Sequence, residues 1–135
     1  MGRLADLLER YVAAFNRGDH AAYAACYAPD VMLVNGAGLE LHGPAAITEF
    51  YAAMRGKTHR ELQVEGVVEG RDCIAAALRS RFVALEDLVA VGGSMLNTGD
   101  VFHLRSMALY EIESGLFKRI QATSLERTVV RKGEN

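Results

Sequence analysis

Cysteine, long apolar runs and clustered charge are all scarce in this chain, and each scarcity removes a class of function. Cys26 and Cys73 are the only cysteines among 135 residues, with no C-x-x-C pair. That excludes a disulfide framework, and both read as small apolar fillers in a reducing compartment. The longest apolar-leaning stretch, Ala21 to Ala28, is far short of the roughly 20 residues a membrane helix needs. The start, Met1-Gly2-Arg3-Leu4-Ala5-Asp6, lacks the charged head, apolar middle and small-residue cleavage site of a signal peptide. The formal charge is −2, with acids and bases interspersed, unlike the clustered Lys and Arg of a nucleic-acid surface. His20, His42, His59 and His103 form no H-x-H or H-x-x-x-H pair, so no metal site is advertised. No phosphate loop, dinucleotide fingerprint or nucleophile elbow occurs, and no cofactor is expected. The expectation is a cytoplasmic protein that handles a small molecule without membrane or nucleic acid.

What is present divides into a helical first half and an alternating second half, within one domain spanning 1–135. Leu4, Leu7, Leu8, Tyr11, Val12 and Phe15 recur at helical spacing and leave Arg3, Asp6, Glu9 and Arg10 off the stripe. Gly18 stops this helix and Asp19 is placed to cap the next, which is expected over His20 to Tyr27 and ended by Pro29. Val31 to Val34 reads as a short buried strand, followed by the turn Asn35-Gly36-Ala37-Gly38. Pro44 opens a third helix at its favoured first position, with Ile47, Phe50, Tyr51 and Met54 on its apolar face and Gly56 at its end. Beyond residue 58 the period becomes two. Strands are expected around Leu62 to Val68, Cys73 to Leu85, Phe102 to Ile112 and Phe117 to Val130. Residues 86–100 suit a long hairpin connection, and the tail from Arg131 is expected to fray. Three helices and a four-stranded antiparallel meander imply an α+β packing with helices over one sheet face.

Three segments carry a family resemblance in the right order. They are Arg10-Tyr11-Val12-Ala13-Ala14-Phe15-Asn16-Arg17-Gly18-Asp19, Tyr27-Ala28-Pro29-Asp30-Val31, and Gly43-Pro44-Ala45-Ala46-Ile47-Thr48-Glu49-Phe50-Tyr51. Together they resemble the ketosteroid isomerases, members of the nuclear-transport-factor-2-like superfamily alongside the SnoaL-like polyketide cyclases. The resemblance is specific over about the first 55 residues and pattern-level beyond. It implies a conical α+β barrel, three N-terminal helices on a curved antiparallel sheet, enclosing one pocket. It does not by itself imply a reaction, because one fold hosts many chemistries.

The isomerases of this family pair a carboxylate base with an oxyanion hole of tyrosine and protonated aspartic acid. The resemblance puts the tyrosine at Tyr11. Counting from the Tyr27 junction puts the base at Asn35, which cannot accept a proton. Aligning Gly115 with the family's last turn puts the acid at Met107, which neither ionises nor donates strongly. The same alignment turns Ala77, Arg79 and Arg81 toward the pocket, with Ile120, Ala122 and Ser124 on the last strand. Two inward arginines would require a carboxylate from ligand or protein. A one-residue slip would turn them outward and put Ile74, Ala76, Leu78 and Phe82 inside, the more apolar face. Phe15, Phe50 and Met54 complete the expected lining.

Two functions follow. In the first, Tyr11 polarises an oxygen of a small hydrophobic or aromatic molecule, and His103, or another histidine, replaces the carboxylate as base for isomerase, cyclase or dehydratase chemistry. In the second the chain is a non-catalytic ligand-binding or protein-interaction module of the same fold. A homodimer through the outer sheet face is expected in either case.

Overall fold

The computed structural model describes residues 3–133; Met1, Gly2, Glu134 and Asn135 lie outside the described residues. Helix α1 (Arg3–Asn16) and the one-turn α2 (His20–Ala24) lead into strand β1 (Tyr27–Val34), β2 (Glu40–His42) and helix α3 (Pro44–Arg55). The second half contains β3 (Thr58–Glu69), β4 (Cys73–Ala84), the short β5 (Val89–Val91) and β6 (Ser94–Leu96), then β7 (Val101–Glu113) and β8 (Leu116–Val130). One sheet of six strands runs β2-β1-β8-β7-β4-β3, and β5-β6 form a separate ribbon. No helix among the described residues is long and apolar enough to cross a membrane.

The helix boundaries follow local chemistry. Asp19 accepts the Ala22 amide at 3.1 Å and starts α2, while Gly18 closes α1 at φ +72°, a conformation only glycine adopts freely. Two expectations need correction here. Helix α2 ends at Ala24, before Tyr27, and the chain is already a strand from Tyr27 onward. Pro29 therefore sits inside β1 rather than ending a helix. It is tolerated because pairing with β8 is interrupted between Tyr27 and Met32, so no ladder donor is missed.

The expected four-stranded meander is an extended one. Strands β3, β4, β7 and β8 are antiparallel neighbours, but β1 joins β8 in parallel and carries β2 as an outer hairpin. Register shifts at Val64/Gly66, Arg105/Ser106 and Glu111/Ile112 are the bulges that bend long strands into a cone.

The concave face is apolar. Phe82 opposes Phe102, Leu78 opposes Ser106, Ala76 opposes Ala108 and Ile74 opposes Tyr110, all buried. These residues meet the stripe of α1, where Leu7, Leu8, Tyr11 and Val12 are buried, and Ile47 of α3. The ribbon forms a second cluster, burying Val89, Val91 and Leu96 against Phe82 and Phe102. Gly92 makes the close approach possible, since a Cβ there would lie 2.5 Å from the Phe102 ring. Arg131 and Lys132, expected to be loose, are instead held by Asp100. Its carboxylate accepts the Asn97 amide at 2.8 Å, the Lys132 amide at 2.8 Å and Arg131 Nη1 at 3.0 Å.

Candidate functional site

Between the helices and the concave face lies a cavity of about 510 Å³, large enough for a drug-sized ligand. Helix α1 contributes Tyr11 and Phe15, and α3 contributes Phe50, Tyr51 and Met54. The sheet adds Asn35 beyond β1, Arg60 and Leu62 of β3, Leu78 and Phe82 of β4, Ser106 and Tyr110 of β7, and Ile120, Ala122 and Ser124 of β8. Residues 90–93 close one side.

Tyr11 sits at the centre of the aromatic wall. Its hydroxyl is 2.7 Å from that of Tyr27, and its ring meets Phe117 edge-on at 5.0 Å and Tyr27 at 5.6 Å. Burial pushes the Tyr11 hydroxyl well above the ordinary tyrosine range, reinforced by the neighbouring tyrosines. Burial raises Tyr27 and Tyr110 in the same way, and pushes Tyr23 up to about 12. It also raises Tyr51, against the opposing pull of the Arg60 guanidinium. Near neutral pH these hydroxyls are therefore uncharged, and of the five tyrosines Tyr11, Tyr23, Tyr51 and Tyr110 line the cavity.

Asn35 lines the cavity as a turn residue. Its Oδ1 accepts the backbone amides of Ala37 at 2.9 Å and Leu39 at 3.0 Å, an Asx-type arrangement that fixes the loop. Ser124 lies close by, since a Cβ at Gly36 would come within 2.6 Å of its Oγ.

Four expected residues lie elsewhere. Arg79, Arg81, His103 and Met107 are on the outer sheet face, where Arg79 pairs with Arg105, Arg81 with His103 and Ala77 with Met107. The one-residue alternative register prevails because it buries Ile74, Ala76, Leu78 and Phe82, whereas the other would bury guanidinium groups. His103 lines a shallow outer depression with Arg79, Arg105, Glu126 and Thr128, so it has no access to a ligand in the cone. Arg79 is instead matched by Glu65, its Nε donating to Oε2 at 2.9 Å. Met107 is 37 % exposed, and its inward neighbours Ser106 and Ala108 occupy the wall.

Other residues of the cavity escaped the sequence reading. Arg60 is the most consequential. Its guanidinium carbon lies 4.7 Å from the Phe82 ring centroid, 5.2 Å from Phe15 and 6.0 Å from Tyr51. Nη2 donates to Ser80 Oγ at 2.9 Å, while Nε is buried without a hydrogen-bond partner. Its signal was parity, since Arg60 shares a strand face with the buried Leu62. Arg127 also lines the cavity. The bulge at Leu125, which leaves Ser124 paired with Ser106 and Glu126 with Arg105, puts residues 124 and 127 on one side despite their odd spacing. His20, the first residue of α2, lines the cavity as well, with Nδ1 2.9 Å from the Tyr23 hydroxyl. Among the described residues no Asp or Glu lines it.

Comparisons with known proteins agree with this geometry. A family model described as a SnoaL-like domain matches residues 8–120. A steroid Delta-isomerase from Nocardioides simplex is 46% identical over 63 residues, 45% of this chain and 51% of that enzyme; the match thus spans about half the curated relative. A candidate polyketide cyclase from Silicibacter sp. superposes with TM-score 0.77 at 23% identity, covering 90% of this chain and 88% of that one. A candidate polyketide cyclase from Xanthomonas campestris pv. campestris gives TM-score 0.74 at 24% identity over 90% and 89% of the two chains. At these identities the structural matches establish a shared fold.

Proposed function

This chain belongs to the SnoaL-like domain family, and from that premise we propose that its cavity binds a small hydrophobic or aromatic molecule whose oxygen accepts a hydrogen bond from Tyr11. The observation that carries this reading is that Tyr11, buried with its hydroxyl uncharged, lines an aromatic cavity of about 510 Å³. The aromatic walls supply affinity by apolar burial, and a few hydroxyls supply orientation. With asparagine where the resemblance puts the base, and no carboxylate lining the cavity among the described residues, binding is better supported than ketosteroid-type proton transfer. Outside the cone, the proposal includes a second copy of the chain over the outer sheet face.

One observation favours a catalytic second reading. His20 lines the same cavity, and an imidazole there would supply the proton acceptor that Asn35 does not. The resemblance to a steroid isomerase over 63 residues defines the reaction to try. Calorimetric titration with 2-acetonaphthone, a neutral aromatic ketone, tests the first reading. Saturable binding is expected, weakened about five- to tenfold in Tyr11→Phe for one lost hydrogen bond; binding of neither this ketone nor an aromatic acid of the same size refutes it. Conversion of a β,γ-unsaturated 3-ketosteroid to its conjugated isomer, abolished in His20→Ala, would establish the second.

A further inference from the structure

We infer that Arg60 is an anion subsite inside the cavity, and that the bound molecule is a hydrophobic carboxylic acid rather than a neutral compound. This rests on the reading of the cavity as a ligand site. A guanidinium drawn partly out of water calls for a compensating negative charge or a full set of acceptors. Arg60 is half-buried, with no carboxylate paired to it and only the Ser80 and Tyr51 hydroxyls as partners. No ion pair among the described residues includes it, and its buried Nε has no acceptor. What it does have is a holder. Phe82, Phe15 and Tyr51 surround the group at 4.7 to 6.0 Å, and Ser80 fixes one nitrogen. Aromatic faces stabilise the cation and restrain its plane without neutralising the charge.

The sign of the cavity points the same way. The chain carries −2 overall, yet the charged residues lining the cavity are Arg55, Arg60 and Arg127, with no carboxylate among the described residues. Arg55 is occupied, donating to the carbonyls of Phe15 at 3.4 Å and Asn16 at 3.1 Å at the end of α1. Arg127 is exposed and suits steering an anion toward the cavity. Arg60 is the deeper cation, set among aromatic rings. A planar guanidinium matches a carboxylate better than a point charge would, because the two forks pair face to face. An aromatic or alicyclic acid would lay its ring system against Phe15 and Phe82 and its carboxylate on Arg60.

The test compares two near-isosteres, 2-naphthoate and 2-acetonaphthone, by titration calorimetry at pH 7. Wild-type protein is expected to bind the acid at least about tenfold more tightly than the ketone, the scale of a charge-assisted pair. Arg60→Met should erase that preference, read as the ratio of acid to ketone affinity within the same variant, and Arg79→Met, on the outer face, should leave the ratio as in wild type. Equal affinities in wild type, or a preference that survives Arg60→Met, would overturn the inference. If the ketone binds and the acid binds no better, the anion subsite falls but the cavity reading stands; if neither binds, both fall. The wild-type comparison decides even if Arg60→Met does not fold, which its thermal melt would show.

Discussion

Asn16 closes both backbone groups of Leu62: its Nδ2 donates to the Leu62 carbonyl and its Oδ1 accepts the Leu62 amide, each at 2.8 Å. Strand β3 lies at the sheet's edge, so its outward groups have no further strand to pair with. One side chain at the end of α1 supplies both partners, and thereby sets the distance between the helix and the strand that carries Arg60. Asn16→Ala leaves a part-buried donor and acceptor without protein partners. A loss of about 2–4 kcal/mol in urea unfolding is expected, from two groups at about 1–2 kcal/mol each. A change below about 0.5 kcal/mol would mean that water replaces the side chain without cost.

The Tyr11–Tyr27 pair makes a second prediction, about sign as well as size. Removing either hydroxyl leaves the other buried without this bond, so Tyr11→Phe and Tyr27→Phe should each cost about 1–2 kcal/mol. The double variant removes both polar groups and should cost clearly less than the sum. Additive losses in urea unfolding would show that the two hydroxyls are not coupled.

Much of this was legible in the residues, and the failures have physical causes. The α1 stripe, the Asp19 cap, Pro44 at the start of α3 and the alternation of β4 and β7 are local signals, and each appears in the fold. The face of β4 was also legible from hydrophobicity: Ile74, Ala76, Leu78 and Phe82 are the more apolar set and are buried, whereas the family resemblance implied the opposite face for that strand. Parity likewise pointed Arg60 inward with Leu62. Three features had no local signal. The parallel pairing of β1 with β8 joins segments some 90 residues apart, the bulge at Leu125 reverses the parity that would have sent Arg127 outward, and His20 reaches the cavity through the packing of α2.

Alkaline pH offers a third test. The sequence has five tyrosines and no tryptophan, and all five are raised, chiefly by burial. A raised acid pKa means folding favours the protonated form. The stability this contributes is present below the unfolded value of about 10 and is lost as pH climbs through the folded values. The near-ultraviolet tyrosinate band should therefore be almost absent at pH 10, where free tyrosines are half ionised. It should rise together with loss of ellipticity at higher pH. Stepwise ionisation near pH 10 in protein that remains folded would contradict the burial of the cluster.

The outer sheet face makes the last prediction, and it separates assembly from ligand binding. Val68 opposes Ala75, which opposes Leu109, and beside them Ala77 opposes Met107. This forms an apolar band in which Val68 is 71 % exposed and Leu109 39 %. Next to it, Glu65 is shared by Arg79 and Arg105 at 2.9 and 3.7 Å, and Arg105 also reaches Glu126 at 3.5 Å. Exposed pairs of this kind contribute little to stability on their own, but an apolar strip flanked by both signs of charge offers a second copy, related by a two-fold axis, an apolar surface and charges of either sign to meet. Sedimentation equilibrium at micromolar concentration should therefore give a dimer, and Leu109→Lys should shift it to monomer with an unchanged circular dichroism spectrum. Because Leu109 points away from the cavity, the same variant should bind 2-acetonaphthone as the wild type does. A wild-type monomer at micromolar concentration would leave the band as ordinary surface.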